Sequence, residues 1–510
     1  MCAIAMLSHT LISAQSLYEP ISAISELGIP RDNDGGHILD FSRVGYRFGD
    51  KEIPNVKVVK IIKAPKRGKD ATALIQGAID EIATLPYEQR GAILLKAGLY
   101  NVDGTIHIKE SGIVLRGEGT HPKKGTHIHS TSTRKSDDRN REVLISFSGE
   151  GRRRISVPQE MNIVGNALVG QFWVRVSNPS NFIVGDEVIV HAETPMALIR
   201  DLRMDTLSTH RKVKRGYKWT PKTINSKNME RIITKVSGDT LWFENPISMS
   251  ILERYNGGCV FHYSCENRIE ECGVEDMLLT CTYASETDEN HCWTGISFGL
   301  SEHCWARNIE GKHFSGLASM TSASKNITVS HCKMTQHKCL ITGGRRYSFC
   351  FSGQLSIVKD CFAADGRHDF ATSAARTNGP NVFLRCRAIR THSDTGPHHR
   401  WASGTLYDNV VVDGAINIQD RGEMGTGHGM AGVNDVLWNC ECDRYAVQSP
   451  WACGANYSIG TIGEKRSGIH KNRPNGIEAS KGVHVTPQSL YEAQLEHRRK
   501  LQPGGVFDVK

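Results

Sequence analysis

One pattern constrains this chain more than any other: a short alternating strand that recurs and ends each time in Cys or Asn. The segments are Asn326-Ile327-Thr328-Val329-Ser330-His331-Cys332, Leu355-Ser356-Ile357-Val358-Lys359-Asp360-Cys361, Asn381-Val382-Phe383-Leu384-Arg385-Cys386 and Asn434-Asp435-Val436-Leu437-Trp438-Asn439-Cys440. Ala306-Arg307-Asn308 and Tyr407-Asp408-Asn409 fit the series with Asn in the Cys place. The marked positions are 308, 332, 361, 386, 409 and 440, so the period runs from 23 to 31 residues. A strand returning at that interval is the signature of a solenoid. Equivalent residues of successive coils then stack at the inter-strand distance of about 4.8 Å. The expected fold is all-β: a right-handed parallel β-helix whose Cys and Asn residues form an internal ladder.

Composition agrees. Of 510 residues, 49 are Gly and only 7% are aromatic, which suits a turn-rich fold better than a helical bundle. Fourteen of the 15 cysteines lie between Cys259 and Cys453 without zinc-type CxxC pairs, so they read as buried, stacked thiols. No run of about 18 apolar residues exists, so no membrane span is expected. The net charge of +8 is compatible with an acidic partner. There is no basic tail or zinc-finger spacing, and no nucleic-acid partner is expected.

The organisation follows from these signals. Residues 1–15 resemble the end of a secretory signal peptide, which predicts a secreted or periplasmic protein. Residues 16–159 hold an N-terminal helical cap, with apolar positions Leu74, Ile75, Ala78, Ile79 and Ile82 at helical spacing, and the first coils. Residues 160–262 read as an inserted β-rich segment, 263–482 as the main coils, and 483–510 as a helical tail.

At this point the sequence resembles the pectate-lyase-like superfamily of right-handed β-helix proteins. The resemblance is carried by Asp40-Phe41-Ser42-Arg43-Val44-Gly45-Tyr46, by Asp70-Ala71-Thr72-Ala73-Leu74-Ile75-Gln76 with Lys96-Ala97-Gly98-Leu99-Tyr100, and by Val114-Leu115-Arg116-Gly117-Glu118-Gly119. Gly366-Arg367-His368-Asp369-Phe370, Gly396-Pro397-His398-His399-Arg400-Trp401 and Gly427-His428-Gly429 are similar to a bacterial subgroup of it. The resemblance implies action on polysaccharides, by lyases, hydrolases, epimerases or adhesins. The Asp-rich calcium set of pectate lyases is not evident.

Residues 337–430 concentrate the chemistry, with nine Arg, two Lys and six His against seven Asp and one Glu. Counted from the ladder residues, Arg345, Arg346, Arg376, His398, His399, Arg400 and Arg421 fall 12–15 positions on, which predicts one face in four coils. His337, His368 and His392 form a second set, 5–7 positions on. Stacked like charges repel, so such a stripe implies a bound anion. Arg recognises carboxylate or sulfate bidentately. The expected substrate is an acidic, uronate-containing polysaccharide or oligosaccharide, cleaved by β-elimination in an Arg/His-lined groove of a monomer. His399, His398, Arg400, His368 and Arg421 are the catalytic candidates. Arg345, Arg346, Arg367, Arg376, His392, His428, Tyr407 and Trp401 are the substrate-binding ones. Trp438 and Trp451 are further candidate sugar platforms.

Rival readings stay open in the sequence. Two of Asp365, Asp369, Asp394 and Asp420 could form a glycosidase pair, and a non-catalytic carbohydrate-binding or adhesin β-helix fits the same groove. No cofactor is firmly predicted. Calcium, or a transition metal on His368, His398, His399, His428 and Asp369, would suit the residue types. Adjacent histidines on an extended strand, however, point to opposite faces.

Overall fold

The computed structural model describes residues 22–136, 141–209 and 215–501. The signal-like segment at 1–15 lies outside them. Twenty-eight strands are linked into one continuous network, and the pairs within it are parallel. The network folds into three sheets along one axis, which is the predicted parallel β-helix. The first sheet runs from Val58–Ile62 to Ile477–Ala479. The second runs from Gly98–Val102 to Ile462–Lys465. The third runs from Ile106–Ile108 to Asp394–Pro397 and on to Val411–Ile418.

Inward residues of all three sheets make one core, including Ile93, Leu115, Ile145, Phe298, Val329, Phe349, Phe370 and Phe383. Helix Thr72–Ala83 turns Ile75, Ala78, Ile79 and Ile82 into the same core at the N-terminal end. Asp70 receives the Thr72 backbone N–H at its start.

The corner between the first two sheets explains the repeat. Asp276, Asn308, His331, Asp360, Arg385, Asn409 and Asn439 precede it in successive coils, all at φ between 49° and 59°. The left-handed conformation turns the chain sharply, and Asn and Asp bear it best among non-glycine residues. The next residue points inward: Ile309, Cys332, Cys361, Cys386, Val410 and Cys440. Asn308 and Asn409 therefore sit one place before the cysteine position, and Ile309 and Val410 fill it. The expected mixed Cys/Asn ladder resolves into two adjacent rows, one apolar and one left-handed.

Each buried thiol donates back to the carbonyl two residues earlier: Cys332 to Ser330 at 3.2 Å, Cys361 to Lys359 at 3.3 Å and Cys386 to Leu384 at 3.5 Å. All fourteen cysteines from Cys259 to Cys453 are free. A polar ladder occupies another corner. Ser356 Oγ accepts from Ile327 N (3.0 Å), Asn381 Oδ1 from Ser356 N (3.0 Å), Asp435 Oδ1 from Thr405 N (2.7 Å) and Asn456 Oδ1 from Asp435 N (2.9 Å).

The β-helix is interrupted once. Val114 pairs with Gly273 and Val143 with Thr294, so the coils before and after the insertion are direct neighbours. The insertion carries a five-stranded antiparallel sheet built of Trp173–Arg175, Glu187–Ala192, Lys227–Ser237, Thr240–Phe243 and Gly258–His262. Buried cations key it into the coils. Lys227 Nζ donates to the Ala375 and Trp401 carbonyls, and the Arg231 guanidinium to those of Pro246 and Gly379. Burial lowers the Lys227 ammonium to about 7.

Asn381→Ala orphans the buried Ser356 N–H and the Gly353 carbonyl, and is expected to cost about 2 kcal/mol or more. His331→Asn, at an exposed left-handed corner, should stay within about 0.5 kcal/mol of the parent. Equilibrium denaturation of both variants checks the two-row account.

Candidate functional site

The third sheet floors an elongated cavity of about 840 Å3. Its floor crosses strands Thr294–Phe298, Gly316–Met320, Phe349–Phe351 and Phe370–Thr372, then the end of Asp394–Pro397. Five coils at about 4.8 Å give a trough of roughly 20 Å. Small residues pave it: Thr294, Gly316, Ala318, Ser319, Cys350, Ser352 and Ser373. Its C-terminal end is walled by the glycine-rich loop 421–429 and roofed by Arg215 of the insertion. Gly422, Gly425, Gly427 and Gly429 all have φ between 51° and 83°. A Cβ on Gly425 would lie 2.2 Å from the His428 ring, so the loop closes tightly on that residue.

Four imidazoles meet there. Ring centroids are 4.4 Å apart for His368 and His398, 4.8 Å for His398 and His428, and 5.0 Å for His399 and His428. Tyr347 packs against the first two at 4.9 and 5.2 Å. His398 and His399 can share the cavity because strand Asp394–Pro397 ends before them. Arg400 (φ 53°) and Trp401 (φ 62°) then swing the chain into the next strand. The strand-alternation argument that separated the two rings fails for this reason.

Asp394 organises the cluster. Its carboxylate accepts from Arg421 (3.0 Å) and Asn417 (3.1 Å) and lies 3.1 Å from His368 Nδ1. Burial pushes this carboxyl up, but Arg421 and His368 outweigh that and hold it well below the usual range. His368 Nδ1–H donates to the Asp394 carbonyl at 2.7 Å, while its Nε2 receives Arg367 at 3.1 Å. Both nitrogens are thus committed, and His368 orients its neighbours. By contrast, Nδ1 of His398, His399 and His428 is buried without a partner. Only His399 makes a ring contact to a hydroxyl, Ser373 Oγ at 3.4 Å. Burial, reinforced by Arg421, keeps these rings neutral: His399 falls to about 4, and His398 and His428 also fall.

The cavity is cationic. Among the described residues, Arg141, Arg215, Arg367 and Arg421 line it against one carboxylate, Glu423, which accepts the Arg215 and Tyr217 backbone N–H groups. Among the described residues Arg367 has no carboxylate partner; it donates to the Gly343 carbonyl and His368.

Of the sequence candidates, His368, His398, His399, Arg421, Arg367 and His428 line the cavity. The others do not. The Arg400 guanidinium clamps the Thr426 and Gly427 carbonyls. Arg345 pairs with Glu289 and lies over Trp293, and Arg346 is buried on the Cys339 and Asp365 carbonyls. Arg376 and His392 are exposed elsewhere, and His337 is buried between Phe314 O and Ser348 Oγ. Tyr407 is a core residue stacked on Phe383, Trp401 is buried against Trp219, and Trp438 is fully buried, so none of them is a sugar platform. Trp451 lies beneath Arg203.

The expected vertical stripe fails because coils differ in length. Thirteen residues (336–348) join the second and third sheets in one coil, five (365–369) in the next and four (390–393) after that. Arg346 therefore stacks above Arg367, and Tyr347 above His368, which counting from the ladder does not find.

The remaining acids are also accounted for. Asp365 pairs with Arg390 and Asp420 with Arg473. Asp369 is buried on Ser348 Oγ, where burial lifts it to about 7. Among the described residues, no three His, Cys, Asp or Glu side chains converge as a metal-ligand set. Tyr347, Arg141, Arg215 and Glu423 were not singled out from the sequence. Tyr347 precedes its strand in the row of His368 and Arg141 stands two residues before Val143, the partner of Thr294, but Arg215 arrives from the insertion and carries no repeat signal.

No family model and no curated protein matches this chain. Among solved structures it is similar to the tailspike protein gp49 of Pseudomonas phage LKA1, with 13% identity and a TM-score of 0.46 over 76% of this chain and 56% of that one. It is also similar to the tailspike of E. coli bacteriophage HK620 in complex with a pentasaccharide (9%, 0.41, 80% and 55%). A third is PfbA, a surface adhesin of Streptococcus pneumoniae (9%, 0.40, 79% and 78%). The chain spans little more than half of either tailspike. The β-helix assignment itself rests on the strand pairing described above.

The neutral imidazoles make acid stability testable. Unfolded histidine binds protons below its ordinary value of 6.5, whereas folded His399 does so only near 4. The unfolded state binds more protons in that window, so stability falls as pH drops from 6.5 towards 4. His399→Gln should flatten this slope in urea denaturation across the same range; an unchanged slope would contradict the neutral ring.

Proposed function

We propose that this protein is an exported polysaccharide lyase that cleaves an acidic, uronate-containing polysaccharide by β-elimination. The observation that carries the reading is the composition of the cavity: imidazole rings beside Arg367 and Arg421, with Glu423 as the one lining carboxylate among the described residues. The trough's length over five coils suits a linear polymer. Export rests on the N-terminal sequence.

The chemistry follows from the geometry. Arg367 and Arg421 would hold the uronate carboxylate and stabilise the charge that develops when the proton at C5 is removed. His399, neutral and lining the cavity, is the base. A ring of the His398–His428 pair protonates the leaving oxygen. A glycoside hydrolase needs two carboxyl groups flanking the bond. Here Asp394 is tied to Arg421 and His368, leaving Glu423 alone, so the lyase is the better reading.

Incubation with a panel of uronate polysaccharides should raise ultraviolet absorbance as the unsaturated product forms. New reducing ends without that rise would replace the lyase with a hydrolase, and neither signal would leave a binding protein. On the substrate so found, His399→Gln should lower kcat by about 10²–10⁴-fold. Arg367→Gln should act more on KM, while Arg376→Ala, exposed and outside the cavity lining, should change neither.

A further inference from the structure

The trough ends before its sheet does. The third sheet passes from Asp394–Pro397 to Val411–Ile418 and on to Glu441–Val447. Yet among the described residues neither of the later strands lines the cavity. The coil of Val411–Ile418 explains this. Thirteen residues (419–431) lead from Ile418 to Gly432, where four (398–401) lead from Pro397 to Ala402 and five (373–377) from Thr372 to Asn378. The long excursion is the glycine-rich wall, and Met424, Gly425, Thr426 and His428 line the cavity from it.

Contacts from three directions hold the wall in place. Arg400 donates to the Thr426 carbonyl and hydroxyl, both at 2.6 Å. From the insertion, the Arg215 and Tyr217 N–H groups donate to Glu423, Arg215 Nη1 to the Gly425 carbonyl (2.9 Å) and the Trp219 indole to the Gly427 carbonyl (3.2 Å). Arg473, further along the chain, bonds both Asp420 and Ser208 Oγ of the insertion at 2.6 Å. Arg215 lines the cavity and bonds the loop, so loop and insertion make one continuous barrier. The proposed base stands directly against it. His428 belongs to the barrier, and its ring lies 5.0 Å from that of His399. Four floor strands precede the coil of His399, and among the described residues no strand that lines the cavity follows it.

A sugar residue of an extended chain is comparable in length to the height of one coil, about 4.8 Å. The floor side of His399 therefore holds several residues and the wall side one or two. We propose that the trough takes the end of a polysaccharide chain, which the wall stops one or two residues beyond His399, and that the protein trims mono- or disaccharide units from that end. This rests on the reading of the trough as a polysaccharide site with His399 as its base. The bond changes are those of the elimination itself. His399 takes the C5 proton, the C4–O bond breaks with its electron pair leaving on the oxygen, that oxygen gains a proton, and the C5–H pair forms the C4=C5 double bond. Whichever way the chain runs, the piece between the cut and the wall is the short one.

The test is the product pattern of the full chain on polygalacturonate, alginate and hyaluronan. Products are separated by size and read for both ultraviolet absorbance and reducing ends. The expected result is that mono- or disaccharide carries the product signal from the first time points while the remaining polymer keeps its length. A ladder of ultraviolet-absorbing oligosaccharides with an early collapse of polymer length overturns the proposal while the lyase stands. Short products with new reducing ends and no ultraviolet signal overturn the lyase while the chain-end site stands. No product from any of the three polymers overturns both. Binding gives a second readout. His399→Gln, titrated with size-fractionated chains of the polymer that is cleaved, should bind one protein per chain at every chain length. A stoichiometry that rises in proportion to chain length overturns the proposal.

Discussion

Everything in this molecule depends on the hydrogen-bonded stacking of parallel coils. Each strand is aligned by the one before it, and Cys332, Cys361 and Cys386 stand above one another because Lys333, Phe362 and Arg387 are paired neighbours. The spacing is set by the backbone, so side chains must accept whatever neighbour the register supplies. Inside, this favours small apolar thiols that return their weak donor to a nearby carbonyl. At the corner it favours Asn and Asp. Where polar residues enter the interior, as at Ser356, Asn381 and Asp435, each accepts a backbone N–H from an adjacent coil.

The same stacking concentrates function on one face. Surplus cations are costly to hold together, and most Arg side chains here avoid the cost by pairing with acids or capping carbonyls. The cavity is the exception. Asp394 neutralises Arg421 and orients His368, yet Arg367 is left facing the space, and the imidazoles respond by staying uncharged. The donors that line the cavity are already held in position by the contacts around them.

Much of the fold was legible because the repeat is a property of the backbone corner, and the corner residues are chemically restricted. His368, His398, His399, Arg421, Arg367 and His428 were found because imidazole and guanidinium cluster in one stretch of sequence. The alignment among them was not legible. It depends on loop lengths between the second and third sheets, and the excursion at 336–348 shifts Arg346 and Tyr347 into rows that counting from Cys332 does not give. Tyr407 and Trp401 are substrate-binding candidates in the sequence, but strand parity and the left-handed turn at Arg400 and Trp401 send both inward. Arg215 and Glu423 come together only through the folding of the insertion over the glycine-rich loop, a contact between residues more than two hundred positions apart.

The pairing of Val114 with Gly273 has a kinetic consequence. Coils otherwise add one after another, each closing a short loop on its predecessor. At this step the chain must instead bridge the whole insertion before the next rung can form. Closure of a long flexible loop costs entropy, and contacts of high sequence separation slow folding. An antiparallel sheet built from nearby strands can assemble first and bring its two ends together, which converts the gap into a short one. The insertion therefore acts as its own scaffold during synthesis. Destabilising its sheet would delay every coil beyond Gly273, including the distant ones that carry the histidines.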